Sequence, residues 1–160
     1  LISHIHRFIY TKTTKTGGTA VERFFEPWCT QEPSTWQPGH ATPERVSPFG
    51  VIGFRGRTVP EGCRWWNHMP ARTIRGQVGE EKWASYLKFC TIRNPYEMVV
   101  SFFFHHRHLQ GQGWPPQAEA PRLFAQWLHT VPFEGNRPAF LIDGTFALNE
   151  VIRHENLLED

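Results

Sequence analysis

Few short stretches limit a fold as tightly as residues 7–25 of this chain. Arg7-Phe8-Ile9-Tyr10-Thr11 is a run of β-formers. Lys12-Thr13-Thr14-Lys15-Thr16-Gly17-Gly18 follows, and Thr19 then opens a stretch with Val21, Phe24 and Phe25 at helix-face spacing. The pattern predicts a strand, a tight turn and a helix. Gly17 and Gly18 let backbone N–H groups approach an anion closely, and a helix start adds about half a positive charge. Lys15 stands just before that turn, within reach of an oxygen between two anionic groups. Lys12 adds local positive charge, and the Thr16 and Thr19 hydroxyls are further donors. The plain alternative is a structural turn with Lys12 and Lys15 solvated. A Walker A loop is not expected, because its lysine follows the glycines and here Lys15 precedes them.

A second such junction lies at Phe89-Cys90-Thr91-Ile92-Arg93-Asn94-Pro95-Tyr96. Residues 89–92 read as a buried strand. Pro95 suits the first turn of a helix whose apolar face is Met98, Val99, Phe102 and Phe103. Open α/β sheets bind ligands off the carboxyl ends of their strands, where Arg93 falls. Its guanidinium can fork onto a phosphate, and Ser101 follows about two turns into the helix. The alternative is that Arg93 pairs with a nearby carboxylate and Ser101 is only a small helix residue.

The rest of the chain supplies the frame. Residues 27–60 are dense in Pro and Gly and read as loops, with one strand near Val51–Phe54. Residues 70–87 read as one or two helices broken near Gly76–Gly79. A loop at Gln110–Ala120 precedes a helix marked by Leu123, Phe124, Trp127 and Leu128. Phe140–Ile142 and Phe146–Ile152 read as strands about an Asp143-Gly144 turn, and Glu155-Asn156 begins a last helix. Strands alternating with helices imply an α/β sandwich with a mainly parallel sheet.

At 160 residues the chain suits one domain, 1–160. It starts at Leu1 and stops just after a helix-start signal, which reads as a piece truncated at one or both ends. With 17 Lys and Arg against 15 Asp and Glu, and no long basic run, a nucleic-acid partner is not expected. Three cysteines without Cys-x-x-Cys spacing argue against a disulfide framework or a thiolate zinc site. A single Cys29–Cys63 bridge stays open, and Cys90 reads as a core residue. No stretch has the length of a membrane span or the pattern of a signal peptide.

Lys12-Thr13-Thr14-Lys15-Thr16-Gly17-Gly18-Thr19-Ala20 resembles the 5′-phosphosulfate loop of sulfotransferases that use 3′-phosphoadenosine-5′-phosphosulfate (PAPS). That loop is often written Lys-Thr-x-Lys-Thr-Ala-Gly-Thr-Ser, so Ala20 stands in place of the usual serine. Arg93-Asn94-Pro95-Tyr96 followed by Ser101 resembles the same family's 3′-phosphate motif. Asn67-His68-Met69-Pro70-Ala71 and Arg153-His154-Glu155-Asn156-Leu157 look like segments of family-2 carbohydrate sulfotransferases.

The resemblance implies a three-layer P-loop-like fold and an O-sulfotransferase that carries a sulfuryl group from PAPS to a hydroxyl acceptor, a carbohydrate first of all. It implies Lys15 as the charge-stabilising residue and His68 as the base, with Glu22 or Glu44 as alternatives. Cofactor contacts would come from Lys12, Thr16, Gly17, Gly18, Thr19, Arg93 and Ser101, with no metal required. Glu155 and Asn156 would brace the last helix. Trp28, Trp36, Trp65, Trp66 and Trp114 are candidate stacking surfaces for sugar or adenine, or else a roof over the core. Arg55, Arg57 and Arg64 are candidates for an anionic acceptor, and His105, His106 and His108 for the helix end or the acceptor cleft. Two other readings are kept: a P-loop nucleotide kinase, and a non-catalytic nucleotide- or glycan-binding module. The expected compartment is the cytoplasm, or the Golgi lumen behind a lost anchor.

Overall fold

In the computed structural model, which describes residues 1–34, 37, 39–131 and 135–157, the two apolar runs become neighbouring strands. β1 is Ile2–Ser3, β2 is Phe8–Thr11, β3 is Arg45–Ser47, β4 is Gly50–Ile52 and β5 is Leu87–Ile92. Towards the end of the chain β6 is Leu141–Ile142, β7 is Thr145–Phe146 and β8 is Glu150–Arg153. The helices are α1 (Gly18–Phe25), α2 (Ala71–Val78), α3 (Glu80–Ser85), α4 (Pro95–Leu109), α5 (Ala120–Leu128) and α6 (Arg137–Phe140). The chain divides into two compact units, one of Leu1–Ile92 with Asn136–Asp160, the other of Arg93–Gly135.

The first unit is α/β, built on a mixed six-stranded sheet in the order β3-β4-β1-β2-β5-β8. Only its β2-β5-β8 half is parallel; β1 pairs antiparallel with β2 and β4, and β3 antiparallel with β4. The expected mainly parallel sheet is therefore half of the observed one. Antiparallel strands of two or three residues complete it, β3 and β4 in Pro- and Gly-rich sequence, too short for a period-2 pattern to develop. The parallel pair runs in register from Phe8 opposite Leu87 to Thr11 opposite Cys90.

Side-chain alternation sends β2 and β5 into two separate cores. Phe8, Tyr10, Ile52 and Phe89 join Val21 of α1 in one. Ile9, Val51 and Cys90 join Ala71 and Ile74 of α2 and Trp83 of α3 in the other. Burial on both faces explains why β2 and β5 read as continuous apolar runs. Helices α2 and α3 are split at Gly79, whose φ of 85° stops the first and starts the second. Asp143 and Gly144 take φ of 52° and 77°, the left-handed pair that a tight β6-β7 hairpin requires. Where a helix is expected from Glu155, the described residues hold a 3₁₀ turn, His154–Asn156; residues 158–160 lie outside the described part. Cys29, Cys63 and Cys90 are free thiols, and burial raises the pKa of Cys29 to about 11 and of Cys90 to about 12.

The second unit is held by aromatic packing between α4 and α5. Phe103 is buried, with ring contacts to Phe124 at 5.4 Å and Trp127 at 5.4 Å. Helix α4 starts as the sequence predicts: the Tyr96 backbone N–H donates to Asn94 Oδ1 at 3.0 Å, with Pro95 in the first turn. Among the described residues no helix is long and apolar enough to cross a membrane.

Candidate functional site

The turn between β2 and α1 is shaped by left-handed backbone at Lys15 (φ 62°) and Gly17 (φ 76°). At Gly17 a side chain is disfavoured twice over: by φ, and because a Cβ would come 2.9 Å from His154 Cδ2, so that the imidazole would have to shift. Four described non-glycine residues have positive φ, and Lys15 and His68 (φ 59°) are two of them. Such backbone is costly for a residue with a Cβ and collects at functional sites, so both sequence candidates stand on strained backbone. Gly17 caps α1 without a side-chain hydrogen bond, leaving the donor end of the helix open to a ligand.

Below the turn lies a buried chain of hydroxyls. Thr13 Oγ1 donates its one proton to the Thr91 carbonyl. The remaining contacts are Thr16 to Thr13 at 2.7 Å, Thr91 to Thr16 at 2.8 Å and Tyr10 to Thr91 at 2.9 Å. With the first proton fixed, every other runs the same way: Tyr10 donates to Thr91, Thr91 to Thr16 and Thr16 to Thr13. Thr16, expected to serve a phosphate, is 1% exposed and its proton is spent inside this chain. It fixes the floor of the turn instead. Thr14 is held from the other side by Asn136, whose Oδ1 accepts from the Thr14 N–H at 2.6 Å while its Nδ2 donates to the Thr14 carbonyl at 3.1 Å.

Lys12, expected among the ligand contacts, is 8% exposed and donates to Glu22 Oε2 at 2.6 Å and Thr19 Oγ1 at 3.2 Å. The Arg55 Nε atom stands 3.2 Å from Glu22 Oε2, an ion pair without hydrogen-bond alignment, and Arg55 Nη1 donates to Glu26 Oε2 at 2.8 Å. Arg45 closes the series on Glu26. Burial raises the Glu26 pKa, but the Arg55 hydrogen bond and the charges of Arg55 and Arg45 outweigh it and hold the carboxyl below its ordinary value. This series removes two expected roles: Arg55 is not open to an acceptor, and Glu22 is committed to two cations. Glu44 is committed as well, accepting the N–H groups of Arg64 at 3.0 Å and Trp65 at 2.8 Å.

His68 reaches the turn through Nδ1, 3.4 Å from Thr14 Oγ1. Desolvation lowers its pKa and the Lys12 charge lowers it further, so the imidazole is neutral near pH 7. His68 shares a cavity of about 30 Å³ with Tyr10, Lys12, Glu22, Trp65 and Trp66. That volume holds roughly two waters and excludes a sugar ring.

Arg93 and Ser101 belong to the second unit. Within it, Arg93 Nε and Nη2 each lie 3.3 Å from Glu97 Oε2, and Glu97 is 54% exposed. Ser101 is half-buried. Of the tryptophans, Trp65 is buried, Trp28 is exposed, and Trp114, 81% exposed, lies 4.7 Å from the Phe104 ring. Trp36 lies outside the described residues. His106 accepts from Trp127 Nε1 at 3.2 Å and so braces α4 against α5.

Sequence reasoning missed Asn136, Thr91 and the Arg55–Glu26 pair. Asn136 is 122 positions from Thr14, and no local pattern announces it. The Glu22/Glu26 spacing of four, one helical turn, was the one signal available. No protein-family model matches this chain, and no curated protein or solved structure matches it.

Proposed function

We propose that this chain is a PAPS-dependent O-sulfotransferase, with a P-loop-like sulfotransferase fold and a hydroxyl on a carbohydrate as acceptor. One observation carries the reading: an uncapped helix start preceded by a lysine on left-handed backbone, in a sequence that resembles the family's phosphosulfate loop. The N–H groups of Gly17, Gly18 and Thr19 hold the 5′-phosphate, and Lys15 neutralises charge on the phosphate oxygen that leaves. The resemblance gives the 3′-phosphate to Arg93 and Ser101, and this half rests on the sequence motif. An exposed Arg93–Glu97 pair is weak enough to yield to a phosphate.

Transfer is an in-line displacement in which positioning and charge neutralisation provide most of the catalysis. The acceptor oxygen forms a bond to sulfur while the sulfur–oxygen bond to the 5′-phosphate breaks. The bond pair stays on the phosphate oxygen, giving adenosine 3′,5′-bisphosphate. His68, neutral at the outset, takes the acceptor proton. The cavity beside His68 is too small for a sugar, so the acceptor ring lies outside it.

The test is transfer of labelled sulfate from PAPS to a panel of glycans by the wild type and by Lys15→Ala. We expect product with at least one glycan and a turnover lower by about two orders of magnitude or more in the variant. No transfer to any acceptor, or equal turnover in the variant, contradicts the proposal.

A further inference from the structure

We infer that Lys12 is a positioning residue that aims the Thr19 hydroxyl proton at a bound oxyanion, an inference that rests on the phosphosulfate reading of the same turn. An ammonium group donates and never accepts, so at the 3.2 Å contact Thr19 Oγ1 is the acceptor. The hydroxyl proton must then point away from Lys12. Thr19 is exposed on the first turn of α1, where the open N–H groups also point, while Lys12 is buried beneath it. The two residues thus divide the work: Lys12 supplies charge without touching ligand, and Thr19 presents a polarised O–H to it. Hydrogen bonds in series strengthen one another, so an ammonium behind the oxygen makes that hydroxyl a better donor.

The buried ion series is what keeps Lys12 in place. Lys12, Glu22, Arg55, Glu26 and Arg45 alternate in sign from the turn to β3, where Arg45 also stands 4.0 Å from Glu32 Oε2. Glu22 holds the ammonium at 2.6 Å and is itself held by Arg55. A phosphoryl or sulfuryl oxygen is the ligand that an open helix start beside a polarised hydroxyl favours. Ala20, which lacks the serine hydroxyl of the family's usual loop, leaves Thr19 as the hydroxyl donor at the helix start.

The experiment measures Kd by calorimetry for adenosine 3′,5′-bisphosphate and for inorganic pyrophosphate. The proteins are wild type, Thr19→Ser, Thr19→Val, Lys12→Met and the Thr19→Val/Lys12→Met double variant. We expect Thr19→Ser to bind within about twofold of wild type, and Thr19→Val and Lys12→Met each to weaken binding about tenfold. The double variant should be little weaker than either single one, because Lys12 acts through the Thr19 hydroxyl. Losses that multiply, or equal binding by the Ser and Val variants, overturn the inference. The Ser/Val pair concerns an exposed residue, so equal binding by the two overturns the inference even if Lys12→Met does not fold. Bisphosphate binding without this coupling removes the inference and leaves the sulfotransferase reading intact. Coupled binding of pyrophosphate with no response to the bisphosphate does the reverse, and a wild type that binds neither removes both.

Discussion

Beneath the Lys12–Thr19 turn both carboxylates are buried and committed to cations, whereas at Arg93 the partner is a surface carboxylate one helical turn away. Glu22 and Glu26 are 3% and 1% exposed and serve Lys12, Arg55 and Arg45 together. Arg93 meets only the rim of Glu97, at 3.3 Å, with the carboxylate half in water. A buried series costs much to desolvate and much to break, which makes it a rigid foundation and a poor ligand contact. An exposed pair gains little and exchanges easily. A region can thus be rich in charge because it builds a site or because it binds at one, and burial separates the two.

The widest separation should come from the carboxylates. Glu22→Ala strands two buried cations and should lower stability by about 3–5 kcal/mol, read as a fall in the urea midpoint. Glu97→Ala should stay within about 0.5 kcal/mol of wild type. Equal midpoints would erase the contrast. Next in size, Gly17→Ala forces a Cβ into left-handed backbone and against His154, and should cost about 1–2 kcal/mol with loss of anion binding. A smaller effect is expected with pH. The pKa of His68 is lowered, so the unfolded chain takes up a proton first and stability falls as pH drops below about 6.5. Because Glu26 also has a lowered pKa, the stability it gives above about 4.5 is lost as pH falls further through its folded value. Urea midpoints from pH 8 to 3 should show both declines, and Lys12→Met should make the first smaller, because relieving His68 of a neighbouring charge brings its folded pKa back towards the unfolded value.

What could be read from sequence was local. The β2-turn-α1 and β5-Arg93-α4 junctions, the Gly79 break and the Asp143-Gly144 hairpin each depend on a few adjacent residues, and each is present. Phe24 shows the limit: its helical spacing places it on an apolar face, yet it is 66% exposed because Glu22 and Glu26 take the inward face. That choice depends on Arg55, far along the chain in a loop with no period. Lys12 and Thr16 were chosen correctly as residues of the turn, but their roles depend on Glu22 and Thr91, which only the tertiary structure brings beside them. Antiparallel strands of two or three residues carry too little pattern to announce themselves.

The measurement that bears most directly on the central claim is calorimetric titration with adenosine 3′,5′-bisphosphate, AMP and ATP, on wild type and Arg93→Ala. The account predicts tight binding of the bisphosphate, weak binding of AMP and ATP, and loss of that preference in Arg93→Ala at unchanged stability. Equal binding of all three nucleotides by the wild type would contradict it.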